Sequence, residues 1–209
     1  MTAGKPVVIA ILPVGSLEGA KSRLGAVLDA EERRDLAEAF ARRTILAAMA
    51  TPGIAETVVI TPDDAVRRLA MDLGARPLRQ RSSGLNDGLR EARVEAIAAG
   101  AEAIIVLPMD LPDISPDAIG LVISALHKTA RPAVVIVADR HERGTNVLLL
   151  SPPDVIDFCF GGDSHDAHLR AARAVGAFVV ELDSPLHLDV DTAEDLVLAQ
   201  AAHPERARG

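Results

Sequence analysis

A chain of 209 residues with no Trp, no Tyr and four Phe can bury a sizeable core, but must build it from Val, Ile, Leu and Ala. A formal net charge of −8 without a basic run offers little to nucleic acid or to an anionic membrane, and the scarcity of aromatic rings argues against a stacking RNA platform. The single cysteine, Cys159, excludes an internal disulfide and a multi-cysteine zinc site, and a free thiol fits a reducing cytosol, so a cytoplasmic protein is expected.

The first apolar run, Val7 to Leu12, reads as a strand; it stops at Pro13, too short for a secretion signal or a membrane span. Pro13 to Leu24 then brings glycines, a serine and two cations, Lys21 and Arg23, an arrangement suited to a phosphate-binding loop but also to an ordinary βα loop. Asp29 and Glu32 make a capping-box start for a helix to about Met49, with Leu36, Phe40, Thr44 and Ala47 on one face. Thr57 to Ile60 is the next strand, and Asp63 to Leu73 a helix closed by Gly74.

Arg76 to Leu78 reads as a short strand, and a polar loop then leads to a helix from Asn86 or Asp87 to Ala99. Asn86 suits a helix cap, and an exposed amide there could equally read a base edge. Ala103 to Leu107 is apolar without alternation, as in a strand buried on both faces of a parallel sheet. It ends at Pro108-Met109-Asp110-Leu111-Pro112, so Asp110 lies just past the carboxyl end of a central strand, where open α/β sheets bind ligands. A loop carboxylate is the plain alternative.

Ser115-Pro116 opens a helix to about His127, Ala133 to Ala138 is a strand, and the charged loop Asp139 to Asn146 leads into the strand Val147 to Leu150. Thr145 and Asn146 place a hydroxyl and an amide where a small anion could be held. In the stretch Phe158 to His168, the pair His165 and His168 lacks a third ligand for zinc, whereas Gly161, Gly162 and Ser164 suit a helix N-terminus open to a phosphate or carboxylate. Cys159, between two Phe, reads as a buried small apolar residue. After a late strand, Phe178 to Leu182, Asp189 and Asp191 alternate with Val190, so an extended backbone puts both carboxylates on one side, and Thr192 caps the last helix. Carboxylates gathered there with Asp110 would repel unless a cation lay between them, and hard oxygen ligands of this kind suit Mg²⁺ with substrate phosphates. The strand and helix alternation gives an α/β fold with a mostly parallel sheet. One domain is expected over residues 1–209, with its core at about 7–197 and a frayed tail at 203–209.

Six motifs occur in order: AKSRL at Ala20 to Leu24, GLN at Gly84 to Asn86, LPMDLP at Leu107 to Pro112, RGTN at Arg143 to Asn146, FGGDS at Phe160 to Ser164 and DVDT at Asp189 to Thr192. Together they resemble the 2-phospho-L-lactate or phosphoenolpyruvate guanylyltransferases of coenzyme F420 biosynthesis. The resemblance implies a nucleotidyltransferase fold like that of glycosyltransferase A enzymes, Rossmann-like, with helices flanking the sheet. It also implies transfer of GMP from GTP to the phosphate of 2-phospho-L-lactate, phosphoenolpyruvate or 3-phosphoglycerate, releasing pyrophosphate.

Carried over by position, Lys21 and Arg23 would hold the GTP phosphates, with Leu12, Pro13, Gly15 and Pro108 around the nucleotide and Gly84, Leu85 and Asn86 near the guanine. Asp110, Asp189 and Asp191 would hold Mg²⁺ and, with Lys21, carry the chemistry. Thr145, Asn146, Gly161, Gly162 and Ser164 would bind the acceptor. Many relatives carry a lysine after the first proline where this chain has Val14 and Gly15, which leaves Lys21 and Arg23 to supply more of the positive charge. The partners implied are small molecules, with no nucleic acid and no membrane, and a homodimer would be unsurprising. The competing readings are another nucleotidyltransferase of this fold, molybdopterin guanylyltransferase-like or acting on a sugar phosphate, and a non-catalytic nucleotide-binding module.

Overall fold

The computed structural model describes residues 6–202. The tail expected at 203–209 lies outside the described residues. Seven strands form one sheet in the order β3-β2-β1-β4-β6-β5-β7: β1 (Val8–Pro13), β2 (Ile54–Thr61), β3 (Arg76–Arg79), β4 (Ala103–Val106), β5 (Ala133–Ala138), β6 (Thr145–Ser151) and β7 (Phe178–Glu181). Six helices surround it: α1 (Ala30–Ala50), α2 (Asp64–Leu73), α3 (Leu85–Ala98), α4 (Pro116–His127), α5 (Ser164–Ala174) and α6 (Ala193–Ala202). No described helix is long and apolar enough to cross a membrane.

The unbroken apolar runs become the sheet's centre. Val8, Ala10 and Leu12 of β1 and Ala103 and Ile105 of β4 pack under α1, α2 and α4, while Ile9, Ile11, Ile104 and Val106 pack under α3 and α5. Local signals set the helix ends. Asp29 and Glu32 bond reciprocally, 2.9 Å from Glu32 N to Asp29 Oδ1 and 2.8 Å from Asp29 N to Glu32 Oε2. Ser115 accepts Ala118 N–H at 3.1 Å beside the first-turn proline, and Gly74 closes α2 at φ 89°.

The chain lays down β1, steps outward to β2 and β3, then returns past β1 to β4, which makes the β1–β4 boundary a topological switch point. β6 is the exception to parallel order. It follows β5 through the turn at 139–144 and inserts between β4 and β5, antiparallel to both. An apolar run such as Val147 to Leu150 looks the same in either direction, so composition does not reveal this reversal. The reversal carries the amino end of β6, with Thr145 and Asn146, to the edge where β1 and β4 deliver their carboxyl ends.

Candidate active site

Both central strands are held by the sheet for one residue past their ends: Leu107 N–H donates to Ile11 O at 3.0 Å and Val14 N–H to Ile60 O at 2.9 Å. The turn after β4 is then pinned from two sides. Thr44 on α1 donates its hydroxyl to Met109 O at 3.3 Å, and Val190 N–H donates to Asp110 O at 3.0 Å. Val190 itself is buried against Leu24 and Phe40 in a small cluster joining the first loop, α1 and α6. Asp189 and Asp191 therefore flank an inward side chain, which turns both carboxylates away from the cluster. Thr192 caps α6 as expected, accepting Asp195 N–H at 3.3 Å while Asp195 Oδ2 accepts Thr192 N–H at 2.7 Å.

Lys21 reaches into this acidic group. Its Nζ lies 2.7 Å from Asp110 Oδ2 and 3.1 Å from Asp191 Oδ1, and Arg23 Nη1 lies 3.2 Å from Asp191 Oδ2. The Lys21 side chain is only 5% exposed, whereas Arg23 is 73% exposed. Burial pulls the Lys21 ammonium down, but Asp110 and Asp191 outweigh it and leave the group above its ordinary value. Burial first, and then the charges of Asp110 and Asp191, push the Asp189 carboxyl above its ordinary value. Among the described residues no set of three or more His, Cys, Asp and Glu side chains is closed into a metal-holding arrangement. The Lys21 ammonium stands between two of the aspartates instead.

The backbone of Lys21 is left-handed, φ 53° and ψ 38°, a conformation that costs a non-glycine residue about 1–2 kcal/mol. The loop around it is tethered: Asp63, the N-cap of α2, accepts Ser16 Oγ–H at 3.0 Å and Leu17 N–H at 3.1 Å. Gly15, Ser16, Lys21, Arg23, Met109 and Asp191 line a cleft of about 320 Å³ at the switch point. Gly15 faces open space, and Pro13 ends β1 at this edge, with Pro108 half-buried beside it. The Leu12 side chain is 1% exposed and packed in the core, so it offers no side-chain surface to a ligand.

The RGTN and FGGDS segments meet at the amino ends of β6 and α5. Thr145 N–H donates to Ser164 Oγ at 2.9 Å, Thr145 Oγ1 lies 3.0 Å from His168 Nδ1, and Arg143 Nη2 lies 2.8 Å from Asp163 Oδ1. Gly161 and Gly162 have no heavy atom near a would-be Cβ, and Gly161 adopts φ 155°. Asn146 is employed otherwise than expected. Its buried amide donates to Leu186 O at 3.0 Å and His187 O at 2.9 Å, and lies 3.5 Å from Asp189 Oδ1, so it holds the segment that carries Asp189.

Asn86 does not cap α3. Gly84 occupies the cap position with no side-chain bond, and Asn86 exchanges both amide bonds with the Phe160 backbone, 3.0 Å to O and 2.9 Å from N. These bonds use one N–H and one lone pair of the amide and fix its orientation on the Phe160 backbone. Gly84 and the exposed Leu85 form the open part of that motif. Cys159 is half-buried rather than buried. The zinc reading of His165 and His168 fails on geometry too, since His165 Nε2 pairs with Glu181 at 3.1 Å while His168 bonds elsewhere. A further cavity of about 370 Å³ at the ends of β5 and β7 is lined by Asp139, Glu142, Glu181 and Asp183 together with Arg140, His165 and His187, so its acidic groups outnumber its arginine.

The fold and these loops coincide with a known family. A family model described as "Guanylyl transferase CofC like" matches residues 8–202. The chain belongs to the CofC-like guanylyl transferase family. It is 41% identical over 196 residues to the phosphoenolpyruvate guanylyltransferase of Rubrobacter xylanophilus, covering 93% of this chain and 94% of the relative. It is 38% identical over 189 residues to the protein of the same name from Sphaerobacter thermophilus, covering 90% of each. Solved structures show the same fold at low identity. A nucleotidyl transferase from Methanothermobacter thermautotroptrophicus superposes with a TM-score of 0.67 at 16% identity, over 96% of this chain and 99% of the other. A 4-diphosphocytidyl-2C-methyl-D-erythritol synthase from Anaerococcus prevotii gives 0.63 at 14% identity, over 95% and 96%.

Within this CofC-like chain, sequence reasoning missed the residues that act by holding others. Asp63 was legible only as the start of a helix, and nothing local marks its second role on the first loop. His168 stood out as a histidine near another, whereas its partners are Thr145 and the backbone of Cys159.

Proposed function

We propose that this chain transfers GMP from GTP to the phosphate of phosphoenolpyruvate, releasing pyrophosphate, as a step toward coenzyme F420. The observation that carries this reading is the meeting, at one sheet edge, of a cation-bearing loop and three aspartates with a second group of uncharged donors around Thr145 and Ser164. The first group suits a triphosphate and its counter-ions. The second suits a small acid with phosphate and carboxylate oxygens. The names borne by the relatives in Rubrobacter and Sphaerobacter favour phosphoenolpyruvate among the three-carbon acids.

In this reading Gly15, Lys21 and Arg23 receive the GTP phosphates, the exposed Leu85 and Gly84 cover the base, and Thr145, Gly161, Gly162 and Ser164 receive the acceptor. An acceptor phosphate oxygen attacks the α-phosphorus in line. One P–O bond forms there as the bond from the α-phosphorus to the α,β-bridging oxygen breaks, and pyrophosphate leaves with the electron pair. The attacking oxygen is already anionic, so no general base is needed; the work is to hold two anions together and balance charge. Three carboxylates against two cations leave an anionic excess of hard oxygen donors, which fits a divalent ion on Asp110, Asp189 and Asp191. Magnesium bound there would neutralise charge on the α-phosphate and the leaving pyrophosphate. With an ion held by these aspartates, the Lys21 ammonium would be available to pair with the phosphates instead.

The test is pyrophosphate release from GTP and Mg²⁺ with phosphoenolpyruvate, 2-phospho-L-lactate and 3-phosphoglycerate, separately and in competition. Release is expected with phosphoenolpyruvate preferred, and lost in Asp110→Asn with the fold retained. No release with any of the three acids would leave the nucleotide-binding module as the better account.

A further inference from the structure

His168 is fully buried, and the bonds to its two ring nitrogens differ in kind. The Cys159 backbone N–H lies 3.0 Å from Nε2, and a backbone N–H can only donate. Nε2 is therefore the bare, accepting nitrogen. A neutral imidazole then carries its proton on Nδ1, which lies 3.0 Å from Thr145 Oγ1, so His168 donates to the threonine hydroxyl. Burial, followed by the nearby charge of His165, keeps the ring neutral by pushing its pKa down to about 4.

The consequence lies in where hydroxyl protons can go. Thr145 Oγ1 accepts a hydrogen bond from His168 Nδ1–H, so its own O–H turns away from the ring. Ser164 Oγ receives Thr145 N–H at 2.9 Å, so its O–H also turns elsewhere. Two adjacent hydroxyls are both held as acceptors by the protein and are thereby left as donors to something else. Phosphate and carboxylate oxygens at neutral pH accept and do not donate. The Phe160 ring, 4.9 Å from the imidazole centroid and edge-on, and Asn86 on the Phe160 backbone keep this arrangement in place.

We infer that His168 is a positioning residue for the acceptor: by donating from Nδ1 to Thr145 it fixes the Thr145 hydroxyl as a donor to an anionic oxygen of the phospho-acid. This rests on Thr145 belonging to the acceptor site, as proposed above.

Two variants separate the orienting bond from simple packing. His168→Asn keeps an N–H near the Nδ1 position, and His168→Gln keeps an acceptor near Nε2 but offers Thr145 no donor. Losing one oriented hydrogen bond to an anion corresponds to about a tenfold rise in acceptor KM, expected in His168→Gln, while His168→Asn remains near the parent value and the KM for GTP is unchanged in both. In a Thr145→Val background, His168→Gln should add nothing to acceptor KM. Equal losses in both variants, a parallel rise in the KM for GTP, or additive effects in that background would overturn the inference. The long-range ¹H–¹⁵N spectrum of the imidazole gives a readout independent of turnover. It should show the Nδ1–H tautomer at pH 7, and a protonated Nε2 would overturn the inference even in an active enzyme. A chain with the Nδ1–H tautomer but no guanylyl transfer would place the failure in the proposed function, and the acceptor role would fall with it.

Discussion

Lys21 concentrates the site's chemistry in one side chain. It is almost completely covered, bonded to two carboxylates, and held on a left-handed backbone that only strong local constraints maintain. Those constraints are visible: Leu24 N–H closes onto Lys21 O at 2.9 Å and the Leu24 side chain is buried beside Val190. Lys21→Met removes the ammonium, leaving Asp110 without its lysine and Asp191 with only the exposed Arg23, a change worth about 2 kcal/mol of destabilisation. Urea unfolding should record that loss, and GMP transfer should fall by about 100-fold, the scale for removing one charge-stabilising donor. A second prediction at this scale concerns pH. His168 has a folded pKa of about 4 against 6.5 unfolded, so below pH 6.5 the unfolded chain binds a proton that the folded chain refuses. Stability present above pH 6.5 is thus lost progressively toward pH 4, by about 3 kcal/mol from this residue. Urea titrations at pH 7 and pH 4 should show a correspondingly smaller change in His168→Leu than in the parent chain.

At the scale of elements, the loops are positioned by a small buried apolar cluster. Leu24 of the first loop, Phe40 of α1 and Val190 between the two aspartates bury one another, so the cationic loop and the acidic segment are joined through one packed cluster. Val190→Ala removes two buried methyl groups, about 2 kcal/mol of stability, and should also lower kcat/KM by about tenfold because Asp189 and Asp191 lose their shared anchor. Activity unchanged at equal destabilisation would show that the aspartates are held by other means. Much of this level was legible in the sequence. The Asp29–Glu32 box, the two-sided apolar runs of β1 and β4, Pro116 and Gly74 all act locally, and each is found where its local pattern places it. What local patterns do not carry is pairing across the chain. Asn86 has the composition of a cap, yet its partner is Phe160, 74 residues away, and that bond gives more than a cap because it fastens α3 to the glycine turn before α5. Asn146 likewise looked like an anion ligand but spends its amide on Leu186 and His187.

On the whole molecule, one reversed strand joins the two halves of the site. Were β6 parallel to β4, Thr145 and Asn146 would lie at the opposite edge of the sheet; antiparallel, they stand beside the ends of β4 and β5, and Asn146 touches Asp189. The site thus gathers residues from both ends of the chain around the β1–β4 switch point, Lys21 with Asp191 and Thr145 with Ser164. A molecule with a net charge of −8 repels its anionic substrates at a distance, so their capture rests on the local cations and donors at this edge. The central claim is that the α-phosphorus of GTP is the point of attack. Incubation of the parent chain with Mg²⁺, phosphoenolpyruvate and GTP labelled at either the α- or the γ-phosphorus tests it directly. The α-label should pass to a product that also contains the three-carbon acid while the γ-label leaves as pyrophosphate; γ-label in the acid, or α-label recovered only as GMP or GDP, would contradict the account.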